Sequence, residues 1–166
     1  MTGAIRDAAP ADFERIAEIY AHHVRNGFGT FEEVPPPRGE MLGRFEKIVA
    51  ARLPYLVAAD GASVLGYAYA APFRPRSAYR FTVEDSIYVA PEAQRRGVGA
   101  TLMARLIERC AAAGMKQVIA VIGDSANAAS IRVHEKCGFV PCGVMRGVGF
   151  KQNRWLDTVM MQRGLP

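Results

Sequence analysis

Two glycines spaced two positions apart, Gly97 and Gly99, follow a pair of arginines at the start of a predicted helix. Glycines at such a turn let backbone N–H groups approach an anion, and the positive end of the helix dipole favours negative charge. Arg95 and Arg96 add two positive side chains. Residues 94–99 therefore predict a cradle for a diphosphate, although a strand-to-helix turn that needs a positive φ gives the same pattern.

The same segment excludes two common phosphate-binding motifs. A dinucleotide fingerprint needs a third glycine and an acidic residue about 20 positions later, at the end of a strand. A P-loop needs Gly-Lys followed by Ser or Thr. Residues 94–99 and the sequence after them contain neither pattern. We therefore expect a ligand that carries a pyrophosphate but is bound by a motif other than these two.

The predicted strand before this loop carries a second set of reactive groups. Side chains alternate between the two faces of a strand, so its polar residues share one face: Arg80, Thr82, Glu84, Ser86 and Tyr88. Such a strand is typical of the wall of a cleft. Asp85 falls among the apolar residues of the other face. It indicates either a β-bulge that re-aims the side chains or, if the strand lies at an edge, a solvated face.

Asn127 follows an apolar run at residues 118–122 and precedes a short predicted helix. At that position an asparagine is a helix N-cap. The alternative is that its side-chain amide binds an amide-rich ligand lying between two strands. Both interpretations stay open on the sequence alone.

Composition limits the classes of protein to consider. The chain has 166 residues, of which 50% are hydrophobic and 22% charged, which predicts one globular domain over residues 1–166. The net charge of +5 suits a phosphate-bearing ligand, and the absence of any run of like charges argues against nucleic acid. Three cysteines without a Cys-x-x-Cys pair predict no disulfide framework, no metal site and a cytoplasmic protein. We expect no signal peptide and no membrane span.

Hydrophobic periodicity predicts the elements that must position these groups. Strands are expected at residues 4–8, 55–59, 64–71, 81–89, 118–122, 139–148 and 155–162. Helices are expected from Pro10 to residue 26, at 38–53, from 98 to the residue before Gly114, and at 128–136. The order βααβββαβαββ predicts an α/β or α+β sheet flanked by helices.

The chain resembles the GCN5-related N-acetyltransferase (GNAT) superfamily. The order of elements is similar, and residues 94–99 fit the superfamily's Gln/Arg-x-x-Gly-x-Gly/Ala loop. Within it, the chain is similar to the phosphinothricin and methionine sulfone/sulfoximine acetyltransferase branch. The stretches that carry this likeness are residues 82–89, 120–123, 127–130, 134–139 and 154–157, and the similarity runs from about Ile5 to Met161.

The resemblance implies a GNAT fold, whose mixed central sheet is splayed between two central strands, and acetyl-CoA as the cosubstrate. It implies that backbone groups bind the acetyl and pantetheine arm at Ile87, Tyr88 and Val89. Asn127 would bond the pantetheine, with Ser130 and Lys136 nearby. The pyrophosphate would lie against the loop formed by Arg95, Arg96, Gly97, Val98, Gly99 and Ala100.

The resemblance also implies the activity, the transfer of acetyl to the α-amine of a small amino acid or analogue by direct attack on the thioester. It places the acceptor beside Glu84, Asp85, Ser86, Arg74, Pro75 and Arg76. The sequence departs from the branch around this loop, where Phe73, Arg76 and Tyr79 stand in place of its usual Trp and Phe. Phe31 is either an apolar wall of the acceptor site or a core residue.

The chemistry needs a base, because an α-amino group is protonated at pH 7. Glu84 is the candidate, acting directly or through a water, and it requires a raised pKa or such a relay. His134 is the rival, since the branch has a histidine there, and a packed histidine is the alternative. Arg74 and Arg76 are expected to clamp a carboxylate or phosphinate.

Three other functions stay open. The first is acetylation of peptide or protein amines, or of an aminoacyl group on RNA. The second is a non-catalytic acyl-CoA sensor on the same fold, and the third, a nucleic-acid-binding module, has only the net charge in its favour. The resemblance implies a homodimer, for which residues 35–37 and the late strands are the candidate contacts.

Overall fold

One mixed sheet of seven strands organises residues 3–166, which the computed structural model describes; Met1 and Thr2 of the predicted domain lie outside the described residues. The sheet order is β1-β2-β3-β4-β5-β7-β6. Among the neighbouring strands of residues 3–166, only β4 and β5 run parallel. The strands are β1 (Ala4–Asp7), β2 (Tyr55–Asp60), β3 (Ser63–Pro72), β4 (Thr82–Val89), β5 (Gln117–Gly123), β6 (Val140–Lys151) and β7 (Arg154–Gly164).

In the part of the chain that the structure describes, four α-helices cover the two faces of the sheet. Helices α1 (Phe13–Asn26) and α2 (Arg38–Ala50) lie on one face, where the rings of Phe13 and Phe45 contact Tyr55 of β2. Helices α3 (Val98–Ala112) and α4 (Ala128–Lys136) lie on the other face. The predicted order of elements and the predicted fold class are confirmed. Among the described residues, no helix has both the length and the apolar character needed to cross a membrane.

The sheet opens at its centre. Strands β4 and β5 pair only from Thr82 opposite Gln117 to Asp85 opposite Ala120. Beyond Asp85, β4 stays paired with β3 and β5 stays paired with β7. The two central strands therefore diverge, and the predicted splay is confirmed.

Three predicted boundaries differ from the structure by three residues. Helix α1 begins at Phe13, after a 3₁₀ turn at Pro10–Asp12, and not at Pro10. Helix α2 ends at Ala50, not at residue 53, because Arg52 adopts a left-handed conformation with φ of 59°. Strand β6 continues to Lys151, past the predicted end at residue 148. Its register shifts between Met145 and Gly149, and Gly147 has φ of 60° there, so these glycines accommodate a bulge and do not end the strand.

Asp85 does not mark a bulge, and β4 is not an edge strand. The register of β4 against β3 is unbroken from Val83 opposite Pro72 to Val89 opposite Gly66. Normal alternation therefore turns Asp85 towards α4 and away from Glu84. The carboxylate is tolerated on this buried face because it hydrogen-bonds a side chain of α4, which offsets the cost of burying it.

Candidate active site

The divergence of β4 and β5 opens a cavity of about 1060 Å³. One end lies at the start of α3, and the other lies under the segment after α1. Most of the predicted site residues line it together: Phe31, Glu84, Asp85, Ser86, Ile87, Tyr88, Val89, Arg95, Gly97, Val98, Gly99, Ala100, Asn127, Ser130, His134 and Lys136. The exceptions are Arg96, which is exposed beside the cavity, and the three residues of the Arg74–Arg76 loop.

The start of α3 has the geometry of an anion site. Gly97 is the N-cap and adopts a left-handed conformation with φ of 83°. Arg95, two residues earlier, has φ of 60°. The first N–H groups of the fifteen-residue helix α3 have no partner within the helix, and the positive end of its dipole favours an anion there. Arg95 and Lys136 bring positive side chains to the same cavity.

The open edge of β4 offers backbone groups to an extended ligand. The carbonyl of Thr82 accepts from Phe73, and the N–H of Ala90 donates to Leu65, so even-numbered residues direct their backbone groups towards β3. Ile87 and Val89 therefore direct theirs into the cleft, where β5 no longer pairs with them. The carbonyl of Val89 accepts a 2.9 Å hydrogen bond from Nε2 of His23. This edge resembles an unpaired strand, which suits a ligand with amide groups.

Asn127 is an N-cap, which confirms one of its two interpretations. Its Oδ1 accepts from the backbone N–H of Ser130 at 3.2 Å, and its Nδ2 donates to the carbonyl of Gly123 at 3.0 Å. The amide is thereby fixed at the end of β5, on the wall of the cavity. Binding of a ligand by the same amide stays a prediction.

Glu84 lies half-buried on the face of β4 that packs under α1, beside Ser86 and Tyr88. Burial raises the pKa of its carboxyl group, and the neighbouring charge of Asp85 raises the pKa further. The raised pKa that a carboxylate base requires is therefore present in the structure.

His134 lies on the opposite face of β4 and is only 2% exposed. Its Nδ1 donates to the carbonyl of Ser130 at 2.7 Å, and its Nε2 lies 2.9 Å from Oδ2 of Asp85. Burial opposes the charged imidazolium, but the hydrogen bond and charge of Asp85 outweigh it and raise the pKa of His134. Both ring nitrogens are engaged, so the packed, hydrogen-bonded interpretation fits the geometry better than a base facing the acceptor.

Two predicted acceptor contacts are not brought to the Glu84 face. Asp85 is buried against His134 on the other face, because β4 alternates without a bulge. The loop of Arg74, Pro75 and Arg76 is exposed and lies outside the cavity, and the guanidinium of Arg74 stacks on the ring of Phe73 at 5.1 Å. The loop continues into a short 3₁₀ turn, whose exposed course local sequence patterns do not specify.

A different arginine lines the cavity. Arg154, at the start of β7, contacts Oδ2 of Asp124 at 3.2 Å and lies over the ring of Phe28 at 5.1 Å. The sequence alone indicates no role for Arg154 or Phe28. Their contacts join residues far apart in the chain, and only the presence of Arg154 in a family-like stretch pointed to it.

The segment of residues 27–31 forms the wall of the cavity on the Glu84 side, and we call it the 27–31 wall. It follows α1, which packs on that face through the contact of Tyr20 with Tyr88. The ring of Phe31 lies against Gly123 and Gly149, where a Cβ atom would collide with it. Phe31 is thus part of the cavity wall, and the two glycines make room for it.

Known proteins resemble this chain over nearly its whole length. Residues 16–139 match the model of the acetyltransferase (GNAT) family. The chain is 55% identical over 161 residues to a phosphinothricin N-acetyltransferase of Alcaligenes faecalis, covering 97% of this chain and 82% of the relative. It is 40% identical over 166 residues to an L-methionine sulfoximine/L-methionine sulfone acetyltransferase of Pseudomonas aeruginosa, covering 99% and 96%.

A solved structure has the same fold. The crystal structure of a GNAT superfamily phosphinothricin acetyltransferase from Sinorhizobium meliloti, in complex with AcCoA, matches with a TM-score of 0.96 and 51% identity. The match covers 99% of this chain and 89% of that one. Fold and relatives together define an N-acetyltransferase. The chain belongs to the acetyltransferase (GNAT) family, and the predicted resemblance to this family is confirmed.

Proposed function

We propose that the protein transfers acetyl from acetyl-CoA to the α-amine of a small amino acid or analogue, of the phosphinothricin or methionine sulfone/sulfoximine type. The observation that carries this proposal is one cavity with an anion-binding helix start at one end and a carboxylate of raised pKa on its wall. The names of the relatives support the class of acceptor.

The residues of the cavity fit acetyl-CoA. Its volume of about 1060 Å³ lies at the upper end of ordinary ligand pockets. The N–H groups at Gly97, Val98, Gly99 and Ala100, with Arg95, would hold the diphosphate. The open edge at Ile87 and Val89 would pair with the pantetheine amides, with Asn127, Ser130 and Lys136 along the same arm. When bound, acetyl-CoA supplies an acetyl group activated as a thioester.

Glu84 acts as the base in this proposal. An acceptor ammonium must lose a proton before its nitrogen has a lone pair for the attack. A carboxylate with a raised pKa holds that proton more firmly than an ordinary glutamate. Glu84 takes the proton directly or through a water, and Ser86 lies next along the same face of the strand.

His134 is a positioning residue in this proposal. Its Nδ1 must carry a proton, because the carbonyl of Ser130 can only accept. Its Nε2 fixes the carboxylate of Asp85. The charge of Asp85 is one of the two causes that raise the pKa of Glu84, so the pair tunes the base from the opposite face of β4.

We also propose that the chain is a single domain that forms a homodimer in the cytoplasm and binds no nucleic acid. The described cysteines are free, as expected in a reducing compartment. Strand β6 lies at the edge of the sheet and carries large exposed apolar side chains, which we call the apolar edge: Val140, Val144, Met145, Val148 and Phe150, with Trp155 of β7. Long apolar edge strands need covering, and a second copy would cover this one.

A coenzyme A release assay against a panel of amines tests the proposal. The panel contains phosphinothricin, methionine sulfone, methionine sulfoximine, the standard amino acids, polyamines and short peptides. We expect turnover on the amino-acid analogues. Turnover only on peptides would move the function to protein acetylation. Tight binding of acetyl-CoA without turnover on any amine would favour the sensor.

A further inference from the structure

Lys151, the last residue of β6, is a buried cation with an unusual set of partners. Its side chain is among the largest that are fully buried, at 1% exposure. The ammonium donates to the carbonyl of Gly27 at 2.8 Å and to the carbonyl of Thr30 at 2.8 Å. No carboxylate of residues 3–166 forms an ion pair with it. Buried charges are normally paired, so a lysine held by two neutral carbonyls requires an explanation.

Both acceptors belong to the 27–31 wall. Lys151 therefore ties this wall to the β6–β7 hairpin across more than 120 positions of sequence. Burial lowers the pKa of Lys151, while the charges of Glu33 and Glu32 oppose that effect. A charged ammonium with two fixed acceptors restricts the backbone more than a neutral contact does, because hydrogen bonds to charged groups are the stronger ones.

Other contacts hold the same wall from both sides. The hydroxyls of Tyr20 and Thr30 lie 2.9 Å apart, which joins the wall to α1. Next to Lys151, Nε2 of Gln152 donates to the carbonyl of Arg25 at 2.9 Å, which joins the hairpin to the end of α1 just before the wall. Further along the hairpin, the guanidinium of Arg154 lies over Phe28. The wall is thus fixed between α1 and the β6–β7 hairpin, and Lys151 makes two of the hydrogen bonds that hold it.

We propose that Lys151 is a positioning residue that sets the shape of the acceptor end of the cavity by fixing the 27–31 wall. This inference rests on the proposed function, in which the acceptor approaches on the Glu84 face. The diphosphate end lies on the other face, at the start of α3. Loss of Lys151 therefore weakens acceptor binding and leaves acetyl-CoA binding nearly unchanged.

Steady-state kinetics of Lys151→Met test the proposal, with Lys47→Met as the matched control because Lys47 is exposed on α2. We expect the KM for the acceptor to rise about tenfold or more, which corresponds to about 1.4 kcal/mol. The KM for acetyl-CoA and the kcat at saturating acceptor should each stay within about twofold. Equal rises in both KM values, or an unchanged acceptor KM, would overturn the proposal.

Two further measurements keep the test decisive. Tyr20→Phe removes the hydroxyl contact on the other side of the wall and can be measured even if Lys151→Met fails to fold. We expect it to raise the acceptor KM by less than Lys151→Met does, with the KM for acetyl-CoA and the kcat again within about twofold. Amide hydrogen exchange at residues 27–31 measures the wall without any turnover. Faster exchange there in Lys151→Met, but not in Lys47→Met, is expected. Unchanged exchange refutes the positioning role, whereas an inactive wild type with the expected exchange refutes only the proposed function.

Discussion

At the scale of single residues, the site depends on two carboxylates that are neighbours in the sequence but lie on opposite faces of β4. Glu84 and Asp85 project to different faces of β4 because the strand alternates without a bulge. Glu84 faces the α1 side, while Asp85 is buried against His134 of α4. Their charges still interact through the strand, and this interaction contributes to the raised pKa of Glu84.

This coupling predicts the effect of Asp85→Asn on the pH profile. A like charge raises the pKa of a carboxyl group, so neutralising Asp85 should lower the pKa of Glu84. The base is then ionised down to lower pH, and the acidic limb of kcat/KM should move to lower pH. The control is Asp60→Asn, a neutralisation at the exposed end of β2. An acidic limb that stays in place or moves to higher pH would show that Glu84 is not the titrating group.

Residue types predicted one part of this site and not another. The turn before α3 was predictable because Gly97 and Gly99 stand between a predicted strand and a predicted helix. That this turn holds a diphosphate stays a prediction. The partner of Asp85 was not predictable, because His134 lies 49 positions away. The role of Lys151 was not predictable for the same reason, because the neighbouring sequence does not distinguish a buried lysine from an exposed one.

At the scale of elements, α3 contributes its N-terminus to the cavity and its C-terminus to the opposite side of the molecule. Both ends carry a glycine with a left-handed backbone, Gly97 at 83° and Gly114 at 81°. A side chain at such a φ costs about 1–2 kcal/mol. The two glycines therefore share one conformational requirement but differ in their distance from the site.

Gly97→Ala and Gly114→Ala form a matched pair that separates conformation from ligand binding. We expect both substitutions to lower the free energy of unfolding by about 1–2 kcal/mol, measured by urea denaturation. Only Gly97→Ala should weaken acetyl-CoA binding, measured by calorimetry, because only its strain distorts the diphosphate loop. Equal affinity in the two variants would remove Gly97 from the acetyl-CoA site.

The elements themselves were largely predictable, since periodicity reports which face each one buries. The sequence predicted the order of the elements but placed the end of β6 too early. Gly147 and Gly149 resemble strand breakers, whereas an edge strand tolerates them as a bulge. The Arg74–Arg76 loop also escaped prediction, because an exposed turn is fixed by its own backbone and not by a hydrophobic pattern.

At the scale of the whole molecule, the two ends of the sheet differ. Strand β1 has four residues and is too short to pair extensively with another chain. Strand β6 has twelve residues and carries the apolar edge. Val140 is 63% exposed and Trp155 is 68% exposed. Surfaces of this kind mark a site of association, which supports the proposed homodimer.

Light scattering of Val148→Lys tests this proposal. We expect the wild type to have the mass of a dimer and Val148→Lys to have the mass of a monomer, because a charge in an apolar interface is costly to bury. Val49→Lys, a substitution at an exposed valine of α2 outside the apolar edge and outside residues 35–37, is the control and should remain a dimer. A wild type that is monomeric at all concentrations would contradict the proposal.

The proposed function depends above all on the role of Glu84 as the base for acetyl transfer in the splayed cleft. Its most direct test is kcat of Glu84→Gln for phosphinothricin, measured together with the dissociation constant for acetyl-CoA. The glutamine keeps the size and loses the basicity, so we expect kcat to fall about 10²-fold or more while acetyl-CoA affinity stays nearly the same. A kcat near that of the wild type would exclude Glu84 as the base and contradict the proposed function.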